Sequence, residues 1–531
     1  MAKTARTLLP TVTHELSPLR TACPHCGTFM RADYTNTRVV TTLTGLTRLN
    51  LTIRRCRNLA CSAFRRPYRP EQEGSFALPH HEFGLDVMVR IGHLRYAEHR
   101  SVPEMHRTLQ RTGTRIAERT ITNLLDRYDE LLAVSLTDDH QLRTRLADQK
   151  QVILGIDGLQ PDVGHEVLWV LRDCLSGVIL LAQSLLSARE QDLVGLLSQV
   201  RQSCPVPIAG VVSDGQHSIR NAVAQALPDV PHQLCHFHYL REAARPLFEA
   251  DRHAKKELKK KVRGVRQIER QVESRTDPSA VVIQGYCSAV RSALTDDGRA
   301  PLDAAGLKLH DRLESIRESL TQVGQTQPLP RELVRLQGWV VAGLEATAEL
   351  WPAVRTGFRW VHQAAHLLGQ EGVRGSTVRG QLGGLLGAMR RHRSTMGCLA
   401  GTIDHFGKVT RSYWPGLFWC YDHPGIPRTN NDLEQTFGRH RYHERRATGR
   451  KGASPALVLR GSVRLVAGLV TREREVTVSE LAAVDRLRWT QVRADLEIRR
   501  ERRVERRRFR KDAQGYLKCL EKQLYQLSLP A

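Results

Sequence analysis

Three acidic residues stand where the end of a strand or the start of a helix would hold them. They are Asp157 in Gly155-Ile156-Asp157-Gly158, Asp214 in Val212-Ser213-Asp214-Gly215, and Glu434 in Asn430-Asn431-Asp432-Leu433-Glu434. Gathered in one pocket, three carboxylates offer the hard oxygen ligands that Mg2+ prefers. Two such ions about 3.5–4 Å apart clamp the attacking and leaving oxygens of an in-line displacement at phosphorus. The chemistry expected of Asp157, Asp214 and Glu434 is therefore metal-dependent cutting and joining of phosphodiester bonds. Each acid also has a plainer explanation. Asp-Gly is a common turn dipeptide, and Asn431-x-x-Glu434 reads as a helix-capping pair.

Cysteines form a second constellation. Cys23-Pro24-His25-Cys26 and Cys56-Arg57-Asn58-Leu59-Ala60-Cys61 flank a Thr- and Val-rich stretch, Tyr34 to Ile53, whose alternation predicts a hairpin or small sheet. Two thiolate pairs on knuckles can close one tetrahedral Zn2+ site around such a sheet. A segment this small has little core of its own, so the metal would supply much of its stability. Four buried, reduced cysteines are the alternative. The rest of the eleven cysteines are scattered, which is not a disulfide framework.

The elements that must position these groups begin with a helical pattern from His81 to Tyr96. Ser101-Val102-Pro103-Glu104 is a capping box opening a second helix that runs to about Arg111, where Gly113 breaks it. Ile121, Leu124, Leu125, Tyr128, Leu131 and Leu132 mark one face of a third helix. Helix, Gly-containing turn, helix is the helix-turn-helix plan, and Arg115, Arg119, Thr122 and Asn123 lie where base edges are read. An ordinary helical hairpin between two domains is the competing account.

Strands are expected at Val152–Asp157, Val167–Asp173, Val178–Leu186 and Ile208–Ser213, with a short one at Gln233–His238; helices are expected at Glu190–Val200 and Ser218–Ala226. That order is the order of a ribonuclease-H-like domain; the Gly-rich phosphate loop of a doubly wound nucleotide-binding domain is missing. In this order the first and fourth strands are neighbours, so Asp157 and Asp214 are expected side by side at their carboxyl ends. Glu434 would open a later helix packed on the same edge. From Tyr239 to about Tyr421 the pattern is helical and holds five of the seven tryptophans, most of them expected in a bundle core. Asp251–Arg270 reads as a solvated helix face, and the Arg-rich run Arg499–Arg510 as a solvated helix or tail in nonspecific contact with phosphates.

At 531 residues the chain should divide into several domains. Eighty Lys and Arg against 55 Asp and Glu give a net charge of +25, which points to a polyanionic partner. No apolar run approaches the roughly 18 residues that suggest a membrane span. No apolar core of signal-peptide length follows Met1, so a reducing cytoplasm is expected.

Gly155-Ile156-Asp157-Gly158, Ser213-Asp214-Gly215, Cys235-His236-Phe237-His238 and Asn430-Asn431-Asp432-Leu433-Glu434 together resemble the signature of DDE transposases. The likeness is closest to bacterial insertion-sequence enzymes akin to the Mutator-like group, and covers about 150 to 470. Asp214 follows Asp157 by 57 residues and Glu434 lies a further 220 on, as an inserted helical domain would require. The resemblance implies that Cys235 and His238 support the catalytic core and that Arg439, Arg441, Arg445 and Arg446 face phosphates.

The organisation expected is multidomain α/β. It comprises a zinc-ribbon-like domain (1–72), a helix-turn-helix (73–147), a ribonuclease-H-like core (148–240 and 421–472) interrupted by a helical insertion (241–420), and a basic helical C-terminal region (473–531). The function implied is binding of terminal inverted repeats, then strand cleavage and strand transfer, with two Mg2+ per active site and one structural Zn2+. Its partner is double-stranded DNA, both element ends and target. The protein is expected as a homo-oligomer, cytoplasmic and nucleoid-associated, without a membrane. Two rivals stand beside it: a transposase-derived regulator that binds DNA without cutting, and a ribonuclease-H-like nuclease or resolvase without joining activity.

Overall fold

Two β-strands of nearly equal length, β2 (Arg31–Thr42) and β3 (Gly45–Arg55), form an antiparallel hairpin near the N-terminus. Gly45, at φ +127, makes the tight return that a residue with a Cβ would resist. β1 (Val12–Leu16) runs parallel to β3, and β4 (Pro67–Tyr68) pairs its far end. Leu16, Val40, Leu49, Leu51 and Ile53 make the small core of this sheet.

The computed structural model describes residues 10–136, 139–160, 166–450 and 455–527. The chain is mixed α/β and 62% helical, and it divides into two units, Met1–Ile208 with Asp432–Ala531, and Ala209–Asn431. Among the described residues no helix is long and apolar enough to cross a membrane.

In the first unit, helices Leu85–Tyr96, Val102–Arg111 and Glu118–Leu136 follow the sheet. The first begins four residues later than the pattern from His81 suggested. Residues 82–84 are already paired with β2: Thr41 N–H donates to Glu82 O and Gly84 N–H to Thr41 O. The capping box is real, with Glu104 Oε2 accepting the Ser101 N–H at 2.7 Å. Gly113 turns the chain at φ +88 between the second and third helices. Gly92 lets the first and third helices close, since a Cβ there would fall 2.3 Å from the Tyr128 ring.

β5 (Val152–Leu159), β6 (Val167–Asp173) and β7 (Ile179–Leu185) form an antiparallel meander. Its core is shared with a segment far away in sequence. Leu159, Leu168, Val170 and Ile179 join one buried cluster with Leu433 and Phe437 of helix Asn431–Thr448 and with Val463 and Leu465 of helix Pro455–Glu473.

In the second unit, β8 (Ile208–Ser213) and β9 (His232–Leu234) are parallel and are connected through helix His217–Ala226. The strand expected at Gln233–His238 ends at Leu234. Cys235 donates its N–H to Ser213 O and the chain turns into helix His236–Ala243. From there to Asp422 the unit is helical around two apolar clusters. Asp251–Arg270 is not one solvated face. It spans helices Arg245–Lys261 and Val265–Val272, and Asp251 is fully buried, accepting the N–H groups of Gly306 and Leu307 at 2.7 and 2.9 Å. It thus satisfies open amides at the start of helix Ala305–Thr326.

Candidate active site and metal centre

The metal centre is built by two knuckles. Gly27, at φ +71, donates its N–H to Cys23 O, and Cys23 N–H returns to Thr28 O, which presents Cys23 and Cys26 from one tight loop. Cys56 and Cys61 leave the end of β3 and are folded back by the Arg65 N–H to Cys56 O bond. The four sulfurs lie within 4.8 Å of one another, with Cys23–Cys61 at 3.9 Å and Cys26–Cys56 at 3.5 Å. A tetrahedral ion at Zn–S distances near 2.3 Å needs sulfurs roughly 3.8 Å apart, so the donor set fits. Ala63 N–H donates to Cys61 Sγ at 3.3 Å, an outer contact that favours thiolate. Thr28 brings the Cys26 thiol down to about 6 through its side chain and backbone. Cys56 has an N–H from Asn58 that favours thiolate, yet burial and its three neighbours push it up to about 12. Four thiolates this close would need a cation between them.

Among the described residues no other group of three or more His, Cys, Asp and Glu comes within that spacing. Asp157 and Glu434 belong to the first unit and Asp214 to the second.

Asp157 does not close its strand and is not in a turn. β5 continues to Leu159, and Asp157 stands opposite Val170 in the ladder, half-buried, its Oδ1 accepting the Gly158 N–H at 2.7 Å. Side chains alternate along a strand, so Asp157 and Leu159 share a face with Val170 and Leu168. That is the face on which Leu433 and Phe437 pack, the residues flanking Glu434. Arg172 Nη1 donates to Thr436 Oγ1 at 3.2 Å and fixes the same helix to β6. The helix whose first turn bears Glu434 is thus held to the meander that bears Asp157, 277 residues earlier in sequence.

Asp214 follows β8 directly, and here Asp-Gly is a turn: Gly215 has φ +85. A Cβ on Gly215 would sit 2.7 Å from the Tyr413 ring, whose hydroxyl donates to Asp214 O at 2.9 Å. Arg220 stacks over that ring at 4.5 Å. Asp214 Oδ1 accepts the Gln216 N–H at 2.9 Å. No local signal marks Tyr413 or Arg220, because both act by reaching across the fold.

Cys235 is fully buried and its Sγ accepts the Asn430 N–H at 3.4 Å, while His236 N–H donates to Arg428 O. The residues just before the Glu434 helix are thereby tied to the ends of β8 and β9. His238 lies half-buried in the first turn of its helix.

Arg119, Thr122 and Asn123 are exposed on one side of helix Glu118–Leu136, with Arg115 exposed just ahead of it. Thr122 Oγ1 is engaged by Glu118 O in its own helix. Arg439, Arg441, Arg445 and Arg446 are exposed along helix Asn431–Thr448, whose opposite side buries His440 and His443. Comparison with protein-family models and with curated proteins finds no match.

Proposed function

We propose that the protein is a DDE-type transposase. Asp157, Asp214 and Glu434 are its catalytic acids, and the N-terminal modules bind the ends of the element. The observation that carries this reading is the seating of the Glu434 helix on the very face of the meander that bears Asp157. A second supports it: the chain Ser213–Cys235–Asn430 ties the lead-in of that helix to the strand end that bears Asp214. The meander β5–β7, followed by the parallel pair β8 and β9 with its connecting helix, supports a ribonuclease-H-like core.

The three carboxylates are donors of the kind Mg2+ takes, and Mg2+ held there would activate the attacking hydroxyl and stabilise charge on the departing oxygen. The residues supply the frame. Tyr413 and Gly215 lock the turn that presents Asp214, and Arg172 with Phe437 holds the Glu434 helix in place. Exposed Arg439, Arg441 and Arg445 offer phosphate contacts beside the acids. The cysteine quartet takes one structural Zn2+ and braces the N-terminal hairpin as a zinc-ribbon-like module. Helices Val102–Arg111 and Glu118–Leu136 act as a helix-turn-helix on double-stranded DNA. Joining two ends calls for a homo-oligomer, working in the cytoplasm at the nucleoid.

The test uses labelled DNA carrying the sequence that flanks the gene. Wild type with Mg2+ should nick the end and join it to target, while Asp157→Asn should lose both steps by at least about 1000-fold, or roughly 4 kcal/mol, and bind the end as before. Retained cleavage in Asp157→Asn would sink the reading. Cleavage without joined product in wild type would point to a nuclease instead.

A further inference from the structure

We infer that a cleft of about 1340 Å3 in the first unit seats the phosphodiester backbone of duplex DNA, gripped by Arg107, Arg446 and Arg450. This rests on the function proposed above, in DNA binding for the cleft and in cleavage for its spacing from the scissile bond, and adds where the backbone lies.

Helices Val102–Arg111, Glu118–Leu136 and Arg486–Lys511 wall the cleft together with the end of Asn431–Thr448. Nine arginines line it against four acids, and the acids are already engaged. Asp126 and Glu130 hold Arg460 at 3.2 and 2.9 Å, and Glu130 also takes Arg127 and Arg493. Glu497 pairs with Arg500, and Glu104 caps its own helix through Ser101. These pairs build the wall. Arg107, Arg446 and Arg450 differ: all three are exposed and, among the described residues, none is in an ion pair. An anion reaching them breaks no existing salt bridge, and guanidinium matches phosphate with two parallel hydrogen bonds.

One feature of the cleft should repel anions, namely the C-terminal end of helix Asn431–Thr448 with its open carbonyls. It is covered. Arg95, itself buried, donates to Ala447 O at 3.2 Å, and Gly449 at φ +69 ends the helix and leads Arg450 away from its axis. Thr122 and Asn123, at the start of the expected recognition helix, line the same cleft and add neutral hydrogen-bonding groups.

Glu434 and Arg446 share one helix, twelve residues apart, or about 18 Å at 1.5 Å per residue. A DNA strand advances about 3.4 Å per nucleotide. A strand laid along that helix would put the backbone in the cleft about five nucleotides from a phosphate at Glu434.

The experiment measures binding of the full chain to a labelled duplex, without Mg2+, over a range of salt. It compares wild type, the triple variant Arg107→Gln/Arg446→Gln/Arg450→Gln, and the charge-matched control Lys256→Gln/Lys260→Gln/Lys261→Gln in the second unit. Loss of three phosphate contacts should lower the slope of log K against log salt by about 2.7, and weaken binding up to about 500-fold at ~0.1 M salt. The control should change the slope by less than about one, and the melting temperature of the cleft variant should match wild type. On the cleaved end, phosphate ethylation should interfere about five nucleotides from the scissile bond. Wild-type binding with a slope that the cleft variant leaves unchanged overturns the cleft while DNA binding stands. No binding of duplex by wild type at low salt overturns both. Displacement of the duplex by an equal concentration of inorganic phosphate or an acidic peptide also overturns it, by showing a site for small anions or for protein.

Discussion

His440 shows how strongly one side chain can depend on its surroundings. It is fully buried on helix Asn431–Thr448, and neither ring nitrogen has a hydrogen-bond partner among the described residues. Burial lowers its pKa to about 4, against the pull of Glu444 and with the help of Arg472, Arg464 and Arg95. His443, one turn on, is lowered to about 2 by burial and by Arg95. Both are neutral in the folded protein. A histidine depressed from 6.5 to about 4 contributes stability that is present above pH 6.5 and lost as pH falls toward 4. For His440 the loss is roughly 3 kcal/mol. The melting temperature should therefore drop through that window, and His440→Met, close in volume and without a titrating ring, should flatten the drop. An unchanged pH profile in His440→Met would count against this. Nothing in the local sequence separates His440 from the exposed arginines around it, since only the packed neighbours set its ionisation.

At the scale of elements, the expectation was best where one short stretch carries all the information. β6 and β8 have the bounds that alternation and apolar runs suggested, and the hairpin between the cysteine pairs is β2–β3. The cysteine pairs were legible because ligand spacing is a local property. Cys56→Ser should remove the zinc expected there, and the hairpin should lose its cooperative melting, as seen by metal analysis and by amide exchange confined to β2 and β3. Full metal content in Cys56→Ser would refute the four-ligand site. Elements whose ends are decided by partners were read less well. β9 stops early because the Cys235 N–H goes to Ser213 O, and the helix from Leu85 starts late because residues 82–84 are paired with β2. Asp157-Gly158 and Asp214-Gly215 are the same dipeptide, yet one is a strand interior and the other a turn held by Tyr413.

At the scale of the whole molecule, the core of the first unit is assembled from both ends of the chain. Leu433, Phe437, Val463, Leu465, Val466 and Leu469 fill it against the helices and strands before residue 208. Asp129, fully buried, links the same two segments through Arg464 at 3.2 Å and also accepts the Tyr96 hydroxyl at 2.5 Å. Ending the chain after Asn431 would expose that core and take Arg464 from Asp129, and removing one partner of a buried ion pair alone is of the class that costs about 3–5 kcal/mol. Amide exchange of such a truncated chain should show loss of protection in helices Leu85–Tyr96 and Glu118–Leu136, whose buried faces line that core. Native-like protection there would contradict a shared core. This placement is also what brings the Glu434 helix to the meander that bears Asp157.

By itself the sequence determined the local matters. These are the thiolate pairs and their hairpin, the apolar strands, the capping box at Ser101, the helical character from Tyr239 onward, and the excess of positive charge. Each depends on residues within a turn or two of one another, so spacing and residue type are enough. Only the tertiary structure decided which face Asp157 shares and how the Glu434 helix reaches it. It also decided that Cys235 holds Asn430, and that, among the described residues, three arginines stand outside the ion pairs their six neighbours make. Those outcomes depend on buried contacts and hydrogen bonds between segments hundreds of residues apart, and a linear pattern carries no record of which surfaces will meet.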